Sequence, residues 1–231
     1  MRSWCQSCAA FLLVGPAAHG QSPPDQLAPV SRTEFCVTEG AVEEHDRALL
    51  VRVPKMRAYV NRTAADVARL TFSYLGPTAV ESALGSGASR RQFGIKRRAA
   101  NACNLIYVMW RITPESSLVV SVKANPGQES SAQCGNRGYR NLKPRASVAL
   151  PALEAGAAHQ LQAQIHGDEL RVQVDGKVVW RGSVGEVAAA TSGPVGMRTD
   201  NTRLEFTFAT QDSASALAAL QPCRTGAPAS D

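Results

Sequence analysis

The chain has 231 residues, of which 44% are hydrophobic and 19% charged, long and apolar enough to close a single packed core. The formal net charge is +6, yet the sequence has no basic helix and no base-reading motif, which argues against nucleic acid and leaves a mildly basic surface. No apolar run approaches the ~18 residues that a membrane-crossing helix needs.

Residues 1–21 read as a signal peptide. Arg2 precedes an apolar stretch, Ala9–Val14, and the small residues Ala17 and Ala18 lead to a cleavage site near Gly20. Cys5 and Cys8 lie before that stretch, so neither is a lipobox cysteine. Residues 22–35 are rich in Pro, Ser and Gln and read as a linker. A single β-sandwich domain is expected over 36–223, and a disordered tail over 224–231, with one helical turn at Leu217–Leu220 before Cys223.

Within the domain, Ala48–Val53 alternates weakly and stops at Pro54, as an edge strand does. Val67–Leu75 brings Leu70, Phe72 and Tyr74 into register, and Gln92–Arg98 sets Phe93 and Ile95 against Gln92, Lys96 and Arg98. Cys103–Ile112 is apolar on both faces, the pattern of a central strand with one face in the core and the other covered or used. Leu118, Val120 and Val122 alternate with Val119, Ser121 and Lys123, and Asn125-Pro126-Gly127 makes a turn. Leu161, Ala163 and Ile165 share a face of His159–His166, and Gly167-Asp168 turns the chain. Leu170, Val172 and Val174 then lead to Asp175-Gly176, a type I′ hairpin signal that needs positive φ at both residues. Gly193–Thr199 and Arg203–Thr210 follow. Short strands with turns about every 8–12 residues predict an all-β antiparallel sandwich.

Without the leader four cysteines remain, Cys36, Cys103, Cys134 and Cys223. An even number in a secreted or periplasmic chain favours two disulfides. Three connectivities are open; Cys103 with Cys134, closing a moderate loop, and Cys36 with Cys223, stapling the ends of the domain, are favoured. No two of these sit at zinc-finger spacing, so no metal is expected, and no phosphate loop or nucleophile elbow calls for a cofactor. If Ile106, Val108 and Trp110 face the core, the period of two puts Lys96, Arg98, Tyr107, Arg111 and Lys123 together on the opposite face. That surface suits an anionic polysaccharide, since Arg forks pair with carboxylate or sulfate and aromatic rings stack on sugars. Glu43-Glu44-His45-Asp46 reads as a solvated loop, Asp200-Asn201 as a turn, and Trp110 and Trp180 as core.

The order HQLQAQIHGDELRVQVDGKVVW, followed by GPVGMRTDNTRLEFTF, resembles the closing hairpins of concanavalin A-like lectin/glucanase domains, the laminin-G-like jelly rolls. The resemblance covers about the last third of the chain. It implies an antiparallel jelly-roll β-sandwich whose concave face commonly holds polysaccharide, and it implies fold far more than activity. The expectation is an exported, non-catalytic domain that binds carbohydrate or another cell-envelope component. Hydrolases of this fold resemble one another in an E-x-D-x-x-E strand, which is absent here, so no catalytic pair is assigned. Gln164-Ile165-His166 resembles the Q-[IV]-H motif of alginate lyases, which gives with Tyr107 a lyase set; the enzymatic alternative is a polysaccharide lyase or hydrolase acting on an acidic glycan. A structural or protein-interaction domain of the envelope is the third reading.

Overall fold

The computed structural model describes residues 27–62, 64–211 and Cys223. The expected leader, tail and helical turn at Leu217–Leu220 lie outside the described residues. In chain order the first strands are β1 (Leu27–Pro29), β2 (Phe35–Glu39), β3 (Glu43–His45), β4 (Ala48–Val51), β5 (Lys55–Val60) and β6 (Val67–Pro77). The middle of the chain forms β7 (Gln92–Arg97), β8 (Leu105–Arg111), β9 (Ser117–Lys123), the short helix α1 (Ser131–Cys134), β10 (Tyr139–Asn141) and β11 (Ala146–Ser147). Then come β12 (Ala158–His166), β13 (Glu169–Val174), β14 (Lys177–Ser183), helix α2 (Glu186–Ala190), β15 (Gly196–Asp200) and β16 (Thr202–Gln211).

These strands form two antiparallel sheets. The first has the order β11-β14-β13-β12-β6-β16-β4-β3, with β1 paired to β16; the second has the order β10-β9-β8-β7-β15-β5-β2. Alternation directs one side of each strand into a shared core: Leu70 and Phe72, Leu161 and Ile165, and Phe206 and Phe208 from the first sheet, Phe93 and Ile95, Val108 and Trp110 from the second. Phe72 bridges the sheets, meeting Phe93 at 4.5 Å and Trp110 at 5.7 Å in edge-on contacts. Trp180 is buried in the same core. The Asp175-Gly176 turn takes the positive φ values its sequence demands, 50° and 78°.

Two expectations need correction. Residues 27–35 are not a linker. Leu27–Pro29 adds a strand to β16, the Val30 amide donates to the Phe208 carbonyl, and the Phe35 ring packs edge-on against Phe206 and Phe208. Val30 and Phe35 are the reason: two large apolar side chains gain more by entering the core than the flanking polar residues lose in freedom. Glu43–His45 is not a loop but an exposed edge strand on β4, charged as solvent-facing edges tend to be. The disulfides pair Cys36 with Cys223 and Cys103 with Cys134, the two links favoured by the sequence.

Candidate ligand-binding groove

The site is built on the outer face of the second sheet. Register places its side chains in rows across the strands. One row runs Asp200–Gln92–Arg111–Ser117, the next Arg198–Gly94–Met109–Val119, and the third Gly196–Lys96–Tyr107–Ser121–Asn141. Gly94 is a required glycine, because a Cβ there would lie 2.0 Å from the Val108 carbonyl oxygen. In the same part of the sheet the Arg198 guanidinium lies over the Tyr107 ring, 5.1 Å from its centroid.

Beneath this face sits a charge network. Asp200 is fully buried and accepts hydrogen bonds from Arg57 Nη2 at 2.6 Å, Gln92 Nε2 at 2.7 Å and Arg198 Nε at 2.9 Å. Arg57 also donates to the Thr199 carbonyl at 2.8 Å. Burial pushes the Asp200 carboxyl up, but Arg198, Arg57 and the donated hydrogen bonds outweigh it and hold the group below the usual aspartate range. The carboxylate therefore stays charged, and Arg198 is fixed in place. The next residue, Asn201, has φ 52° and reaches out of the strand. Its side chain takes the Ser82 amide at 2.8 Å and donates to the Ser82 and Arg90 carbonyls, pinning residues 78–91 over the sheet.

Between that loop and β10 lies a groove of about 340 Å³. Its floor is Tyr107, Met109, Arg111, Val119 and Ser121; its walls include Leu84, Arg90, Asn136, Tyr139 and Arg198. Tyr107 stacks on Tyr139 at 6.0 Å, and Lys123 Nζ lies 5.1 Å from the centroid of the Tyr139 ring. The contacts Arg198–Tyr107–Tyr139–Lys123 thus place a cation at each end of two stacked rings. Tyr139, 38% exposed, is the ring that a ligand can reach. Arg111 differs from Arg198: its Nε is buried with no hydrogen-bond partner among the described residues. Burial first, and then neighbouring Arg90, hold its guanidinium below the ordinary arginine value. No carboxylate is among the described residues that line the groove.

No protein-family profile matches the chain, and no curated sequence is similar to it. Solved structures are similar in fold. Carbohydrate binding module CBM66 from Bacillus subtilis has a TM-score of 0.53 at 11% identity, covering 75% of this chain and 91% of that one. The metal-free Emp46p carbohydrate recognition domain has a TM-score of 0.51 at 9% identity, covering 77% and 87%. A candidate glycosyl hydrolase from Parabacteroides distasonis has a TM-score of 0.50 at 9% identity, covering 80% and 91%. The chain has the concanavalin A-like jelly-roll fold.

On this jelly roll the five residues expected to share a face divide. Tyr107 and Arg111 line the groove, although Tyr107 is only 1% exposed. Lys96 lies on the same face in the Tyr107 row, outside the groove lining. Lys123 is on that face but fully buried. Arg98 is not on it at all. β7 ends at Arg97, Arg98 turns through φ 47°, and its guanidinium donates to the carbonyls of Gly167, Ala188 and Ala189. The lyase set is not assembled either. Leu161, Ala163 and Ile165 face the core, so Gln164 and His166 point out of the first sheet, whereas Tyr107 points out of the second. A sandwich with sheets ~10 Å apart separates them.

The sequence reading missed Arg57, Gln92, Arg198 and Asp200, and it passed over Tyr139. Met197 and Thr199 alternate with Arg198 and Asp200 in β15, which was a usable signal for the face. Nothing local marks Asp200 as buried, because the loop that covers it comes from residues more than a hundred positions away.

Proposed function

We propose that the protein is an exported, non-catalytic jelly roll that binds carbohydrate in this groove, with acidic glycans as its preferred class. One observation carries the reading. Arg111 presents a guanidinium with an unpartnered, buried Nε beside Arg90, in a groove lined by no carboxylate, next to the accessible ring of Tyr139. A carboxylate or sulfate in the groove would pair with the groove-facing part of the Arg111 guanidinium, and Tyr139 offers a stacking surface for a sugar ring. The likeness to CBM66 and to the Emp46p carbohydrate recognition domain agrees with a saccharide ligand. Two disulfides support an oxidising compartment, outside the cytosol or in the periplasm.

The test is glycan-array binding by the full chain at low and high salt. Acidic polysaccharides should bind better than neutral ones, and added salt should weaken them, because exposed charges are screened over ~8–10 Å at physiological ionic strength. Arg111→Ala should cost about tenfold or more in affinity, as expected for a lost charged hydrogen bond, with an unchanged melting temperature. Absence of binding to every anionic glycan would favour a structural or protein-interaction domain of the envelope.

A further inference from the structure

The groove has a roof as well as a floor. Residues 78–91 enter the second sheet at Gln92, whose row includes Arg111 at one end of β8. Residues 135–138 enter at Tyr139, which pairs with Lys123 and, through it, with the row of Leu105 at the other end of β8. The two loops therefore approach from opposite ends of the same strand, and they meet. A Cβ added to Gly85 would lie 2.8 Å from Asn136 Nδ2 and 2.9 Å from its Oδ1. Leu84, Gly85, Ser86 and Asn136 line the same groove as Tyr107, Met109 and Arg111, so the meeting point lies above the floor.

Both halves of this arch are fixed. Asn201 grips the first at Ser82 and Arg90, and the Leu84 amide closes the loop by donating to the Ala88 carbonyl. The second follows Cys134, which is bonded to Cys103 two residues before β8, and Asn125 Nδ2 donates to the Arg137 carbonyl at 3.0 Å. The ends of the arch are thus tied to the strands that form the floor.

We propose that the groove takes the terminal sugar of an acidic chain and does not hold an internal run of the chain. The proposal rests on the reading that the groove binds acidic carbohydrate. An internal segment must enter on one side of a site and leave on the other, which under a closed arch requires threading. A chain end needs only one entrance. The volume of about 340 Å³ is near the bottom of the ~300–1,000 Å³ range of small-molecule pockets and suits one or two sugar rings. The charge agrees. Arg57 and Arg198 are balanced by Asp200 together with Glu39, 3.9 Å from Arg57, which leaves Arg111 and Arg90 to meet one anionic group, whereas a long acidic chain presents a charge on every unit.

The experiment uses the full chain and calorimetric titration. The probes are galacturonate and chondroitin sulfate, each as a short oligosaccharide and as a long polymer, so that a chain with carboxylates alone is compared with one that carries sulfates as well. The expected result is one protein bound per chain, with affinity per chain equal within about twofold between short and long forms. Several proteins per polymer chain, with affinity per chain rising with length, would overturn the end-binding proposal and leave the carbohydrate reading standing. Asn136→Ala removes the side chain that meets Gly85. It should convert the polymer to many-site binding; unchanged stoichiometry in this variant would also count against the arch. If neither glycan binds in either form, or if Arg111→Ala binds as well as the wild type, the carbohydrate reading itself fails and the inference fails with it.

Discussion

The outer faces of the two sheets follow the same period-two alternation and end in different states. On the first sheet the outward residues are polar and stay in contact with water. Arg69 pairs with Gln162, Arg181 with Glu169, and His45 with Glu205, all partly or well exposed. On the second sheet the outward residues are apolar or charged and are buried: Leu105, Tyr107 and Met109 beside Arg57, Arg198 and Asp200. The difference is the cover. Residues 78–91 and the segment around Asn136 lie over the second sheet, so Arg57, Arg198 and Asp200 find one another, whereas Arg111, with an Nε that has no partner among the described residues, lines the groove. An exposed pair on one face and a buried network on the other should therefore respond oppositely to the same substitution.

The strongest contrast is between neighbours on β8. Trp110→Ala should destabilise by ~3–5 kcal/mol in urea unfolding, because the ring fills the core between Phe72 and Phe93. Arg111→Ala, one residue on and facing the groove, should stay within about 0.5 kcal/mol of wild type. Asp200→Ala should cost ~3–5 kcal/mol by leaving Arg57 and Arg198 buried without their counter-charge. Its pH dependence follows from a folded pKa held below the ordinary value. The stabilisation is present above the unfolded aspartate pKa and is lost as pH falls through the folded one, so acid unfolding of the wild type should include a loss that Asp200→Asn lacks. Gly94→Ala should cost ~1–3 kcal/mol, because the new methyl meets the Val108 carbonyl backbone. Glu169→Gln, on the open face, should leave the unfolding midpoint where it was, since the Arg181 pair is solvent-screened. A large loss there, or none at Asp200, would break the comparison between the faces.

Much of this contrast was legible in the sequence. The β12–β14 meander, the Asp175-Gly176 turn and the number of disulfides follow from local pattern and counting, and the favoured pairing is the one found. The apolar run at Cys103–Ile112 announced a strand covered on both sides, and it is. What failed depended on position rather than composition. Arg98 continues the alternation of β7 on paper, but one left-handed residue sends it to other partners. Asp200 ends β15 and Asn201 bends the chain into β16, and both side chains are buried because a distant loop folds onto them. The N-terminal segment looked like a linker because Pro, Ser and Gln dominate it, while its anchors, Val30 and Phe35, are single residues without a period.

The Cys36–Cys223 link has a mechanical meaning. It joins positions 187 residues apart in sequence. A pull applied beyond these two cysteines passes from Cys36 to Cys223 through the sulfur bridge and bypasses the strands between them. Those 187 residues represent roughly 600 Å of extensible chain that stays locked away while the bridge is intact. A domain under tension would then transmit the load without unravelling, and reduction of this bond would release that length except for the 31-residue loop that Cys103–Cys134 keeps closed.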